Sequence, residues 1–183
     1  MLKNSVVQLT KLPLFSVSKN LFQKHKIGRS ERLRMYKKGK SYEEIEIGEK
    51  ASFTKTITET DIYLFAGISG DFNPLHVDEE YAKTTIFGTR IAHGGLAASL
   101  LAPVLGMKLP GLGTVALETV TKFRKPVYPG DTITCAVEVK NKIEKMKMIE
   151  MKILWTNQKG ETIGKGECKV LPPSFNLEII DYD

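Results

Sequence analysis

A chain of 183 residues with 42% apolar and 26% charged side chains has the length and composition of one folded domain with a sizeable core, which excludes a fibrous repeat or a wholly disordered polymer. The formal net charge of +6 does not by itself make a nucleic-acid binder, because it is unevenly placed. Residues 1–40 hold eleven Lys and Arg against one acid, Glu31, while the remainder holds 16 basic and 20 acidic residues, so the globular part is mildly acidic.

In chain order, the first element is that basic segment, 1–40. It is rich in Lys, Arg and Ser, with Leu9, Leu12, Phe15, Leu21 and Phe22 scattered between the charges. This is the composition of a mitochondrial transit peptide and predicts a matrix location. A basic arm that binds RNA or anionic lipid has the same composition; no interleaving of aromatic and basic residues in the globular part supports nucleic-acid binding. A secretory signal would need an uninterrupted apolar run after the first charges, and none is present. At the other end, 174–183 reads as a short acidic tail, leaving 41–173 as the folded domain.

Within that domain, "YEEIEIGEKASFTKTIT" alternates through Ile45, Ile47, Phe53 and Ile57 and predicts a strand leading to a helix. Thr58 and Asp61 resemble a capping box with the shorter acid, and Ile62, Phe65, Ala66 and Ser69 recur at helical spacing, so a helix of about three turns should end at Gly70. Asp78 reads as the N-cap of a short surface helix with acids in its first turn. "HGGLAASLLAPVLGMKLP" is apolar around its whole circumference from Leu96 to Met107, which predicts one buried helix of about 14 residues, roughly 21 Å long. The apolar run "IAHGGLAASLLAPVLG" is sixteen residues with a histidine and a proline inside, short of the roughly 20 a bilayer requires.

From Gly113 the period changes to two. Four successive strands follow, with Ile133, Cys135, Val137 and Val139 on one face of the second and Ile149, Met151, Ile153 and Trp155 on one face of the third. Short connections such as "YPGD" and "NQKG" imply antiparallel neighbours. The layout is α+β, an antiparallel sheet wrapped around the apolar helix. Cys135 and Cys168 are too far apart for a zinc or redox motif and read as small buried hydrophobes; His25, His76 and His93 lack the short spacing of a metal motif, so no metal is implied.

One loop does not fit a purely structural reading. "GDFNPLH", Gly70 to His76, is made of turn residues, yet a turn needs no histidine, and here an ionisable Asp71 and His76 flank a rigid Pro74. The longer stretch "FAGISGDFNPLHVDEEYAKTTIFGTRIAHGGLAASLLAPVLG" resembles the hydratase motif and central helix of the MaoC-like, (R)-specific enoyl-thioester hydratases, which have a hot-dog fold. The similarity runs in pattern from about Ile47 to Pro172, and its signature is Asp-x-Asn-Pro-x-His followed seventeen residues later by His-Gly.

Adding water reversibly across a 2-enoyl thioester needs a base for the water, an acid for C2 and a donor for the charge developing on the thioester oxygen. The resemblance implies that Asp71 and His76 are the catalytic pair acting on one water, without saying which protonates C2. It also implies that Asn73 orients the loop or hydrogen-bonds the site where substrate binds, and that the Gly94 N–H, at a helix start, points at the thioester oxygen. His93 is expected to be structural. Some family members place a serine nine residues after the His of "HG"; here that position is Ala102, with Ser99 nearly a turn away.

The resemblance implies no cofactor. The acyl chain is carried on coenzyme A or on the phosphopantetheine of acyl carrier protein. A mitochondrial address makes the resemblance strongest to the 3-hydroxyacyl-carrier-protein dehydratase of mitochondrial fatty acid synthesis. The alternatives are an (R)-specific enoyl-CoA hydratase of fatty acid oxidation and a non-catalytic acyl-binding hot-dog subunit. Lys122, Arg124 and Lys125, with Arg90 and Lys108, are candidates for a basic rim that attracts the carrier. A homodimer is expected by resemblance.

Overall fold

The computed structural model describes residues 38–173. The basic segment 1–40, expected to be a transit peptide, therefore lies outside the described residues except for its last three, and the acidic tail lies wholly outside them. Those three already belong to the folded part: Gly39 is buried, and the Lys40 N–H donates to the Pro110 carbonyl at 2.8 Å. A Cβ on Gly39 would stand 2.7 Å from the Leu112 carbonyl oxygen, so only glycine lets the two chain segments cross there.

Five strands, β1 (Lys50–Thr56), β2 (Val115–Phe123), β3 (Thr132–Ile143), β4 (Met148–Thr156) and β5 (Thr162–Leu171), form one antiparallel sheet in the order β1-β3-β4-β5-β2. Between β1 and β2 lie the helices α1 (Glu59–Ser69), α2 (Pro74–Val77), α3 (Glu79–Lys83), α4 (Gly94–Ser99) and α5 (Leu101–Met107). The inner faces of β3 and β4 carry the eight residues expected from their alternation, all buried. With Ile163, Cys168 and Val170 of β5 they pack on Leu96 and Ala97 of α4, on Leu100 at the junction, and on Leu101, Val104 and Leu105 of α5. Both cysteines are core residues, and burial pushes each thiol up to about 12, so they remain neutral thiols.

Three expectations are corrected. The strand before α1 does not extend back through Ile45 and Ile47: Ile45 is buried, Ile47 is exposed, and the strand starts at Lys50 after a turn at Gly48, whose φ is 88°. The central helix is not continuous. It covers Gly94 to Met107 but breaks at Leu100, because Pro103 has no N–H to return to the Ser99 carbonyl. Nor is it buried all round: the sheet covers one face, and Gly95, Ser99, Ala102 and Met107 on the other are exposed.

The third correction concerns strand neighbours. β2 does not pair with the next strand but with β5, at the far edge of the sheet. Past Phe123 the Arg124 and Lys125 N–H groups still reach the Ile163 carbonyl, at 2.8 and 3.2 Å. Pro126 then has no donor to continue the ladder, and the chain leaves the sheet. On its way to β3 it receives the Ala92 N–H on the Val127 carbonyl at 2.7 Å, which fastens the entrance of α4 to the sheet.

Candidate active site

The site is built where α1 stops. Thr58 and Asp61 form the expected capping box, with the Thr58 N–H donating to Asp61 Oδ2 at 2.8 Å and the Asp61 N–H to Thr58 Oγ1 at 3.2 Å. The helix runs to Gly70, whose φ of 78° turns the chain and whose N–H closes on the Ala66 carbonyl. Asp71 follows on the turn. Its Oδ1 accepts the Asn73 N–H at 3.1 Å, and Asn73 Oδ1 in turn accepts the Leu75 N–H at 3.0 Å, capping α2 with Pro74 in its first turn. Asn73 thus shapes the loop through its side chain, and Asp71 keeps Oδ2 free of that network.

His76, on α2, is buried, and its Nδ1 lies 2.7 Å from the Ile91 carbonyl. A carbonyl can only accept, so Nδ1 carries the proton and Nε2 presents a lone pair. That nitrogen faces Asp71 Oδ2 at 4.0 Å, with the Asp71 side chain about half exposed. The gap is too long for a direct hydrogen bond. It suits an oxygen bonded to both atoms at about 2.8 Å, with roughly a right angle at the oxygen between them.

His93, expected to be structural, is the residue before α4. It is 2% exposed, and its Nε2–H donates to the Asp71 backbone carbonyl at 2.9 Å. Its ring lies on the His76 ring with centroids 3.8 Å apart, and Phe65 packs on it at 5.1 Å. Ligand-type atoms of Asp71, His76 and His93 fall within 4.8 Å of one another. The His93–Asp71 bond joins residues 22 apart in sequence, which local spacing does not show; the "HG" dipeptide was the available signal.

Gly94 starts α4, where backbone N–H groups have no acceptor within the helix. A Cβ there would lie 2.9 Å from Phe123 Cζ, so glycine lets the Phe123 ring sit against the backbone. The two border a cavity of about 320 Å³, walled by His93, Gly94 and Ala97 on one side and Phe123, Val127 and Ile163 on the other. A larger groove, about 720 Å³, lies on the outer face of the sheet and contains none of the site residues. Ala102 is exposed, and Ser99 donates its hydroxyl to the Leu96 carbonyl of its own helix at 2.7 Å.

The basic rim is smaller than expected. The Arg90 guanidinium is held by both oxygens of Glu59 at 2.8 and 2.9 Å, by Glu79 and by Tyr63, and these partners keep it firmly charged against the opposing effect of burial. It clamps α1 and α3 to the loop that supplies the Ile91 carbonyl. Lys125 pairs with Glu161 at 2.6 Å, and Lys108 donates to the Ser52 carbonyl beside the Phe53 ring. Of the five candidates, Lys122 and Arg124 have no ion pair among the described residues, and Arg124 and Lys125 both border the cavity.

Residues 43–159 match the model of the MaoC like domain family. The chain belongs to the MaoC-like family. Over 133 residues, 73% of this chain and 92% of the relative, it is 45% identical to the (R)-specific enoyl-CoA hydratase of Rhodospirillum rubrum. It is 34% identical over 94 residues, 51% of this chain and 55% of the relative, to the mitochondrial 3-hydroxyacyl-[acyl-carrier-protein] dehydratase of Arabidopsis thaliana. The unliganded R-hydratase PhaJ1 of Pseudomonas aeruginosa superposes with a TM-score of 0.70 at 40% identity, covering 74% of this chain and 86% of that one. The MaoC-like chain therefore has the hot-dog fold and is a hydro-lyase of acyl thioesters.

Proposed function

We propose that this MaoC-like enzyme interconverts a 2-enoyl thioester and the (R)-3-hydroxyacyl thioester, with Asp71 and His76 sharing the water that is added or removed. The observation that carries this reading is the bare Nε2 of His76 facing Asp71 Oδ2 across 4.0 Å. In hydration the water held between them attacks C3, and its proton passes to His76 Nε2. Electrons of the double bond move onto the thioester oxygen, which accepts the Gly94 N–H. The enolate then collapses, C2 takes the proton from the His76 imidazolium, and Asp71 stabilises the cation meanwhile. One proton leaves water and one arrives at C2, so the chemistry needs no cofactor.

As for the carrier, we propose the dehydration step of fatty acid synthesis in the mitochondrial matrix, on acyl carrier protein. The acid-poor composition of residues 1–40 and the likeness to mitochondrial carrier-protein dehydratases support it. A second reading, an enoyl-CoA hydratase, is favoured by the higher identity to the Rhodospirillum rubrum enzyme. The test is absorbance at the enoyl-thioester band with crotonyl-coenzyme A and with crotonyl-carrier protein. Loss of the band with either substrate supports a hydratase, and the larger kcat/KM names the carrier. Loss with neither leaves the non-catalytic subunit as the reading. Import of the full chain by isolated mitochondria, against no import when residues 1–40 are removed, tests the address.

The enzyme we propose is a homodimer. β2 is a nine-residue edge strand that exposes Val115, Leu117, Val120 and Phe123, and a second copy would cover both that edge and the small-residue face of α4 and α5. Sedimentation of the full chain as a monomer at micromolar concentration would end that proposal.

A further inference from the structure

We propose that His93 is a positioning residue for both members of the catalytic pair, a role that rests on the reading of Asp71 and His76 given above. One ring performs three tasks. Its Nε2–H holds the Asp71 carbonyl at 2.9 Å, its face lies on the His76 ring at 3.8 Å with 34° between planes, and its backbone leads directly into Gly94. The loop that carries the carboxylate, the imidazole that moves the proton and the helix start offered to the thioester oxygen are thereby fixed to one another.

Each task answers a specific freedom. Asp71 stands on an exposed turn after the left-handed Gly70, and the Asn73 N–H fixes only one oxygen of its side chain. Without a bond to its carbonyl, the Asp71 peptide can rotate and carry Oδ2 away from the water. His76 is pinned at one edge by the Ile91 carbonyl, which leaves the ring free to swing about that bond unless a face is also blocked. His93 blocks it, backed by Phe65 at 5.1 Å.

A packing role alone does not explain the residue. His93 Nδ1 is buried with no hydrogen-bond partner among the described residues. Burying an imidazole nitrogen without a partner costs stability, and an apolar ring would fill the space without that penalty. The site keeps a nitrogen it cannot satisfy in order to have the other one on Asp71. The same bond fixes the tautomer: His93 carries its proton on Nε2, His76 on Nδ1, so the stacked pair presents a single basic nitrogen toward Asp71.

Two substitutions separate ring from donor. His93→Phe keeps the stacked face and removes the donor; His93→Gln places an amide N–H near the position of Nε2 and removes the ring. In the full chain, His93→Phe is expected to lower kcat for the active thioester on the order of 10- to 100-fold, the scale for misplacing reacting groups by about an ångström. KM should stay within about twofold, and His93→Gln should recover part of the lost kcat, the remainder going with the ring face that holds His76. Long-range 1H–15N spectra of the wild type should show His93 protonated on Nε2 and His76 on Nδ1. Wild-type kcat in His93→Phe, or equal losses in the two variants, overturns the proposal. Should His93→Phe not fold, a His93 proton found on Nδ1 overturns it instead. A wild type inactive on both thioesters defeats the hydratase reading, and the tautomer assignment still decides whether His93 holds Asp71.

Discussion

His76 gives one ring nitrogen to the Ile91 carbonyl at 2.7 Å and turns the other toward Asp71 Oδ2 at 4.0 Å. The first contact decides the chemistry of the second, because a ring protonated on Nδ1 can only accept at Nε2. Asp71→Asn leaves the loop its oxygen for the Asn73 N–H and removes the negative charge beside the imidazolium. His76→Ala removes the proton carrier. Each should lower turnover on the order of 10²- to 10⁴-fold with the fold intact. Near-full activity in either variant, read from the enoyl band beside a superimposable circular dichroism spectrum, would falsify the role given to that residue.

Gly94→Ala places a methyl 2.9 Å from Phe123 Cζ and 3.1 Å from Cε2. The Phe123 ring is a flexible obstacle, so the protein should fold while the ring tilts into the cavity and the new methyl crowds the N–H that we propose meets the thioester oxygen. A loss in kcat/KM on the order of 10²-fold is expected, the usual cost of one oxyanion donor. Adding Phe123→Leu should return the room for the ring but not the activity, since the methyl still shields the N–H. Full recovery in the double variant would mean that Gly94 serves only to admit Phe123.

The pair and its loop were legible in the sequence because Asp71, Asn73, Pro74 and His76 are local: a cap, a turn and a one-turn helix decide their geometry. The inner faces of β3 and β4 were legible for the same reason, since alternation needs no knowledge of neighbours. What depended on distant contacts was not. The bond from His93 to the Asp71 carbonyl, the capture of Arg90 by Glu59 and the placing of β2 beside β5 are decided by where the chain returns. Pro126 marks the exit from β2, but a proline cannot say which edge the strand occupies.

Arg90 links these distant contacts to the site. Its three side-chain partners, Glu59, Tyr63 and Glu79, hold the segment just before Ile91, whose carbonyl fixes His76. Arg90→Met keeps the stem and loses the fork. Stability to urea should fall by about 1.5–3 kcal/mol, the scale for hydrogen bonds to charged groups, and kcat should fall with it. Unchanged stability would show that Glu59 and Glu79 are equally content in water.

Gly166 sits under β2, where a Cβ would come within 2.2 Å of the Val120 carbonyl oxygen. That obstacle is backbone and cannot swing aside. Gly166→Ala should therefore push β2 off β5 locally, and amide exchange over Val115–Phe123 should quicken while β3 and β4 keep their protection. Uniform protection across the sheet in the variant would contradict the close approach of the two strands.

Acid should weaken the frame before it reaches the core. Burial alone would raise the Asp61 carboxyl, but the Thr58 hydroxyl and N–H, with Lys55, outweigh it and hold the group below the ordinary range. Glu79 is held low by the Thr89 hydroxyl and then by the Arg90 N–H. Carboxyls depressed in the folded state add stability that is complete above their unfolded values, near pH 4, and disappears as pH falls through the folded ones. The melting temperature should thus change little from about pH 7 to 5 and drop below about pH 4. Thr58→Ala removes the cap, costing about 1 kcal/mol near neutrality, and frees Asp61 to titrate more nearly as it does unfolded. Its melting curve should start lower and fall less steeply in acid than the wild type's, and parallel acid limbs in the two proteins would remove the capping box from the account of pH stability.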